Sequence, residues 1–337
     1  MEKEYFRAFR VHKDESEFRT GIEQIALSDL PAGEVLIEVH YSSVNYKDGL
    51  ASLPDGKIVR RYPFIPGIDL AGKVLASDDE RYKIGDNVIC TGYELGVSHE
   101  GGYSEIARVP ADWLVPLPPG LTAFEAMAIG TAGFTAALSV QRLLANGLTP
   151  DSGPVLVAGA TGGVGSMAVS ILAKLGFKVT AVTGKPALTD KLLGLGACQV
   201  LSREEAASGA KGALGKEQWA AVVDPVGGAF TGDLLKSVSY GGSIAVSGMA
   251  AGGHFDTTVF PFILRGVNLL GIDSVFCPMP QRLALWELLA GEWKPVTALE
   301  EWTSVYQLDQ LPEALSKVID SKAVGRQVIA VKSDYID

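Results

Sequence analysis

Cysteine is scarce. Three stand in the 337 residues, Cys90, Cys198 and Cys277, and no two have CxxC spacing. An odd, sparse set excludes a disulfide framework and fits reduced thiols. Histidine is nearly as rare, at four: His12, His40, His99 and His254 are scattered, and His99-Glu100-Gly101-Gly102 lacks the second histidine of an HExxH site. Positive charge is in deficit. Lys and Arg number 29 against 39 Asp and Glu, a net charge of −10, which argues against a nucleic-acid partner and requires a local basic pocket for any bound phosphate. The N-terminal stretch MEKEYFRAFRVHKDE has no apolar signal core. No apolar run approaches the ~18 residues of a membrane span. There is no low-complexity tract, no internal repeat, and no G-x-S-x-G elbow of a serine hydrolase. These absences set the expectation of a soluble, cytoplasmic protein with a small-molecule substrate and no membrane association.

Apolar residues make up 47% and charged residues 20%, enough for a large core, and the length suits two domains. The first ~120 residues are rich in strands and turns. Glu34–Val44 has the β-branched and aromatic content of a strand, and LVPLPPGLT (114–122) is a proline-rich stop. This texture resembles a partly open β-barrel. From about residue 123 strands and helices alternate. Strands are predicted at Val155–Ala158, Lys178–Val182, Gln199–Leu201, Ala221–Val223, Ser243–Val246 and Asn268–Gly271. A helix over Ser166–Leu175 is closed by Gly176. Such alternation predicts an α/β, doubly wound parallel sheet. LPEALSKVID then reads as a helix and RQVIAVK as a strand returning to the first domain. The expected division is 1–122 with 301–337, and 123–300.

VLVAGATGGVGSMA (155–168) reads as strand, glycine-rich turn and helix start. Ala160 stands where the first glycine of G-x-G-x-x-G would be. Gly162 lets backbone approach a pyrophosphate, Gly165 lets the helix pack on the strand, and the helix N-terminus aims free N–H groups at phosphate. The candidates to hold a dinucleotide here are Thr161, Gly162, Gly163 and Val164. The next strand ends Thr183-Gly184-Lys185, without the acidic residue that bonds the ribose 2′-hydroxyl of NAD. A hydroxyl and an ammonium suit a 2′-phosphate, so NADP(H) is favoured. Arg203, after the following strand, adds a second positive charge. Ser247 ends the fifth strand, at the edge where such sheets bind their ligand. Asp224, ending the fourth, reads as a loop organiser.

The order of strand-rich domain, ATGGVG loop and returning C-terminal strand resembles the medium-chain dehydrogenase/reductase superfamily. SSVNYKDGL (42–50), PGIDLAG (66–72), GTAGFTAAL (130–138) and PFILRGVNLLGIDSV (261–275) are similar to the YhdH/YhfP-type quinone oxidoreductases, a branch that includes NADPH-dependent acrylyl-CoA reductases. The resemblance implies a GroES-like barrel domain plus a Rossmann domain, an active site in the cleft between them, and a homodimer joined around Leu269–Val275. Many relatives of this kind hold a catalytic zinc through a cysteine ahead of an aspartate and a Gly-His-Glu motif. Here Asn45-Tyr46-Lys47-Asp48 and Gly67-Ile68-Asp69 stand at those places, so no metal is expected. Without a Lewis acid, hydride addition to a conjugated double bond or a quinone is the easier chemistry. Tyr46 lies where the resemblance puts the cleft floor, as proton donor or as cofactor contact. Asn45 and Asp48 are candidates to orient substrate and neighbours, or are turn residues of the barrel. Thr131 and Thr135 contact the nicotinamide side or serve helix packing. Lys57, Arg60 and Arg61 form a basic cluster suited to a coenzyme A tail, or a solvated loop. The leading expectation is a zinc-independent NADPH-dependent reductase of an enoyl thioester or a quinone. A nucleotide-binding redox sensor or structural protein without turnover is the alternative.

Overall fold

The structure, a computed structural model, describes residues 5–210 and 212–332. Residues 1–4 of the charged N-terminal stretch and 333–337 of the expected barrel segment lie outside the described residues. In chain order the strands are β1 Tyr5–Lys13, β2 Phe18–Ala26, β3 Val35–Ser43, β4 Asp69–Ser77, β5 Asn87–Thr91, β6 Ile106–Val109, β7 Leu114–Pro116, β8 Val155–Val157, β9 Val179–Val182, β10 Gln199–Leu201, β11 Trp219–Asp224, β12 Val238–Val246, β13 Asn268–Gly271, β14 Thr303–Gln307 and β15 Arg326–Ala330. The helices are α1 Tyr46–Ala51, α2 Ala123–Ala145, α3 Gly163–Lys174, α4 Thr189–Gly194, α5 Arg203–Ala207, α6 Ala229–Leu235, α7 Phe260–Arg265, α8 Met279–Ala290, α9 Val296–Glu301 and α10 Leu311–Ile319.

The chain forms two compact units. The barrel unit takes in the chain up to Thr131, Val275–Ala290 and the chain from Thr303. Its main sheet runs β14-β15-β3-β4-β5-β7, with β6 paired to β3, and β1 and β2 form a separate antiparallel hairpin. β15 does return to this unit, antiparallel to β3. Phe6, Phe9, Ile37, Leu70, Tyr103 and Ile329 are among the residues of its core. α10 is amphipathic and buries Leu311, Ala314 and Leu315, at helical spacing.

The nucleotide unit comprises Ala132–Ser274 and Gly291–Trp302. Its six-stranded sheet is parallel throughout, in the order β10-β9-β8-β11-β12-β13. That is the doubly wound arrangement, with the strand order reversing between β8 and β11. β11 is buried at every residue, as expected of a central parallel strand. All six predicted strands are present, with β11 and β12 longer than expected because they continue past the apolar runs that marked them.

Two expectations are corrected. The barrel unit keeps Ala123–Thr131, because α2 leaves helical backbone at Gly130 (φ 49°, ψ −160°) and Thr131 bonds Asp69 of β4. It also keeps Val275–Ala290, because Arg282 donates to the backbone oxygen and hydroxyl of Thr91 (2.8 and 3.0 Å) and Tyr93 N–H donates to Val275 O (3.0 Å). The second correction concerns α2 itself, which is long and apolar enough to span a membrane by length and composition. Its most apolar stretch is 78% buried inside the protein, so it serves as a core helix.

Candidate active site

In the barrel unit, Asn45 caps α1, and the N–H of Asn45 donates to Asp48 Oδ2 (2.8 Å) in the reciprocal half of a capping box. Tyr46 is thereby the first residue of the helix, and it is 45% exposed. Beneath it lies a buried charge network. Asp69 Oδ2 accepts from Ser43 Oγ (2.6 Å), Asn45 Nδ2 (2.8 Å) and the N–H of Thr131 (2.9 Å), while its Oδ1 accepts from Thr131 Oγ1 (2.5 Å). Arg326, the first residue of β15, donates to Ala128 O (2.9 Å), Val44 O (3.2 Å), Asn45 Oδ1 (3.3 Å) and Ser43 Oγ (2.8 Å). Its guanidinium lies 3.9 Å from Asp69. Asp48 Oδ1 accepts from the N–H of Ile68 (2.9 Å), and the buried phenol of Tyr103 donates to Ser43 O (3.1 Å).

Asp69 and Asp48 are thus buried together near one buried guanidinium, which pairs with Asp69. Burial, reinforced by the charge of Asp69, pushes the Asp48 carboxyl up to about 7. Burial pulls the Arg326 guanidinium below its ordinary value, against the opposing pull of Asp69 and Asp48. Gly130 packs against the same atoms. A Cβ there would fall 2.7 Å from Arg326 Nη2, Asp69 Oδ2 and Ser43 Oγ, so only glycine admits the network and the positive φ together.

This placement separates the barrel candidates. Of Asn45, Tyr46, Asp48 and Thr131, Tyr46 is the exposed one. Asp48 has no exposed surface, and its two oxygens accept from the N–H groups of Asn45 and Ile68, which ties the start of α1 to the residue before β4. Asn45 is likewise committed to Asp69 and Arg326. Thr131 spends its N–H and hydroxyl on Asp69. Asp69, Arg326, Ser43 and Gly130 escaped the sequence reading. The one available signal was an arginine opening the apolar run RQVIAVK.

In the nucleotide unit the loop after β8 turns at Gly159 (φ 56°), so the tight-turn glycine sits one place before Ala160. At Gly165 a Cβ would meet Gly159 O at 2.3 Å, and only a glycine lets α3 pack so close to the turn. Gly162 precedes α3 without a side-chain cap, so the first N–H groups, of Gly163, Val164 and Gly165, have no partner within the helix. Thr161 and Thr183 are buried with their hydroxyls 3.3 Å apart, and Thr183 Oγ1 accepts from Lys185 N (3.0 Å). Thr183 therefore shapes the turn that presents Gly184 and Lys185. Partial burial lowers the Lys185 ammonium. Thr183, Gly184 and Arg203 line a cavity of ≈ 460 Å³, together with Glu204 and Glu205. Glu205 is spent capping α5 through the N–H of Ser202 (2.7 Å). At the end of β12 the Ser247 hydroxyl is buried with no hydrogen-bond partner, an acceptor or donor left for a ligand. Thr135 donates to Ser274 Oγ (2.8 Å). Asp224 organises its loop as expected, accepting from the N–H groups of Val226 (2.8 Å) and Gly227 (3.0 Å) and from Thr231 Oγ1 (2.5 Å).

Residues 31–119 match the family model of the alcohol dehydrogenase GroES-like domain, and residues 163–288 match that of the zinc-binding dehydrogenases. The chain belongs to the medium-chain dehydrogenase/reductase superfamily, in its quinone oxidoreductase and acrylyl-CoA reductase branch. Within that branch it is 52% identical over 324 residues to YhfP of Bacillus subtilis, whose name assigns it to the quinone oxidoreductases (96% of this chain, 98% of that one). It is 51% identical over 330 residues to the acrylyl-CoA reductase AcuI of Ruegeria pomeroyi (97% and 100%). The YhdH oxidoreductase of Salmonella enterica in complex with NADP has the same fold, with a TM-score of 0.93 at 42% identity (97% and 100%). YhfP crystallised with NAD bound gives 0.95 at 51% identity (98% and 100%).

The zinc of the second family model does not fit these residues. Asn45 and Asp69 are bonded to each other and to Arg326, and the side chain of Ile68 offers no donor atom. Among the described residues no three His, Cys, Asp or Glu side chains come together as a ligand set.

Proposed function

We propose that the protein is a zinc-independent, NADPH-dependent reductase that adds hydride to an activated double bond, that of an acrylyl-CoA-like enoyl thioester, or to a quinone. The observation that supports this reading is the buried network in which Asn45, Asp69 and Arg326 are committed to one another, with Tyr46 exposed at the start of α1. AcuI, at 51% identity, is named for acrylyl-CoA, and YhdH is crystallised with NADP.

The nucleotide unit holds the dinucleotide through backbone. The N–H groups from Gly163 onward would hold the pyrophosphate, Lys185 and Arg203 would take the 2′-phosphate, and Ser247 would offer its unspent hydroxyl. NADPH, when bound, supplies the hydride. The chain's own part in the chemistry falls to Tyr46. Hydride addition at the β carbon of an enoyl thioester leaves negative charge on the thioester oxygen, and the α carbon then takes a proton. A neutral phenol on the first turn of a helix donates a hydrogen bond to that oxygen or the proton itself. Asp48, Asn45 and Asp69 keep that turn fixed from below. The reading includes a homodimer joined around Leu269–Val275, favoured by the outer edge of β13, which has no partner strand among the described residues, and by the exposed side chains of Leu269, Ile263 and Leu264.

Oxidation of NADPH with acrylyl-CoA and with a small quinone at matched concentrations tests the proposal, with NADH as control. Turnover with either acceptor, preferring NADPH, is expected. Absence of turnover with both would overturn it in favour of a nucleotide-binding protein without catalysis.

A further inference from the structure

The loop that follows α1 carries an unusual density of positive charge for so acidic a chain. Lys57, Arg60 and Arg61 are all exposed, and Lys13 is drawn to the same loop, its ammonium donating to Pro54 O (2.5 Å). The loop is built, not loose. Val59 and Phe64 are buried with Ala51 in a small core of their own, and Tyr62 Oη donates to Val59 O (3.2 Å), stapling the backbone on either side of Arg60 and Arg61. Arg61 rests over the Phe64 ring (5.9 Å) and lies 3.4 Å from the buried Glu100. Lys57 occupies the left-handed region, with φ 57°, which costs a side-chain-bearing residue free energy that a glycine would not lose. Within residues 52–62 the three cations face one acid, Asp55, while Asp14, Glu15 and Glu17 flank Lys13. The loop begins at the C-terminus of α1, and α1 begins at Tyr46. Six helical residues span only about 9 Å.

We propose that Lys57, Arg60, Arg61 and Lys13 dock the phosphorylated adenosine end of a coenzyme A thioester whose acyl end reaches Tyr46. The inference rests on the reductase reading above and narrows its acceptor to the thioester. A quinone brings no phosphate and gains nothing from such a cluster. A coenzyme A ester brings several negative charges toward a chain with a net charge of −10, and needs a local field of opposite sign to be held. The pantetheine arm bridges the length of one short helix.

The test is binding of coenzyme A itself to the full-length protein by titration calorimetry, with pantetheine as the probe lacking the phosphorylated end. K57E/R60E is expected to weaken coenzyme A about tenfold and leave pantetheine unmoved. Added salt is expected to erode the wild-type affinity and to flatten the difference between the two proteins. K57Q/R60Q, which removes charge without reversing it, carries the same test if the reversal does not fold. In turnover, the KM for acrylyl-CoA should rise about tenfold relative to that for a quinone. If the wild type reduces acrylyl-CoA and both variants keep its KM and its coenzyme A affinity, the docking site is wrong and the reductase reading stands. If the wild type neither binds coenzyme A nor reduces acrylyl-CoA, the thioester reading fails, and the docking site falls with it.

Discussion

The two units build their candidate sites from different materials. The nucleotide unit uses backbone: glycines that clear space, a helix start with unpaired N–H groups, and strand ends. Its side chains there are few and mostly shape turns. The barrel unit uses side chains, with Asp48, Asp69 and Arg326 sealed from water and tied through Asn45, Ser43 and Thr131. A backbone site tolerates water, because its donors are dipoles. A buried charge site does not, and each ion depends on the others for its place. The nucleotide site is therefore expected to fail locally and gradually under mutation, and the barrel site to fail as a unit.

Arg326→Met breaks the comparison hardest, because it leaves Asp69 buried without its cation. We expect a loss of about 3–5 kcal/mol in unfolding free energy, measured by denaturant titration. A loss under about 1 kcal/mol would mean that the network is not what holds the barrel unit. Tyr46→Phe sharpens it, since Tyr46 is exposed above that network. Stability should change by no more than about 0.5 kcal/mol, while kcat with acrylyl-CoA falls about a hundredfold. An unchanged kcat would remove Tyr46 as donor. Asp48→Asn probes the charge itself. Because the folded carboxyl sits at about 7, above its ordinary 3.8, the fold binds a proton that the unfolded chain has lost. Stability from this group is complete below about 4 and is lost as the pH climbs through 7, by at most about 1.4 kcal/mol per pH unit. The variant should show a flatter profile of melting temperature against pH across that window, and an equally steep one would refute the assignment. Lys185→Glu is the mildest: a roughly tenfold loss of preference for NADPH over NADH, read by titration with each dinucleotide, and no change in the fold. Retained NADPH affinity would move the 2′-phosphate elsewhere.

The contrast also explains what was legible in the residues. The phosphate loop is contiguous, and every glycine in it answers to a local demand, so its strand, turn and helix were visible in fourteen consecutive letters, Val155 to Ala168. Even there the turn glycine proved to be Gly159, because a pattern of spacings does not reveal which residue takes a positive φ. The barrel network has no such contiguity. Ser43 and Arg326 are 283 positions apart, and Asp69 and Thr131 are 62 apart. Asn45 and Asp48 were visible as candidates, but their burial and their bonds within the network were not. The unit boundary was missed by nine residues, from 122 to 131, because α2 reads as one apolar helix and the change of owner falls after its kink at Gly130.

The barrel unit's discontinuity has a consequence for the order in which the protein comes into being. A ribosome delivers Asp48 and Asp69 early, then the whole of the nucleotide sheet, and only then Arg326. Throughout that interval Asp69 has no guanidinium beside it, and the barrel sheet lacks β15 beside β3. All six strands of the nucleotide sheet precede β15 in the chain. One late segment thus carries both the strand that pairs with β3 and the guanidinium beside Asp69, joining strand pairing to charge balance.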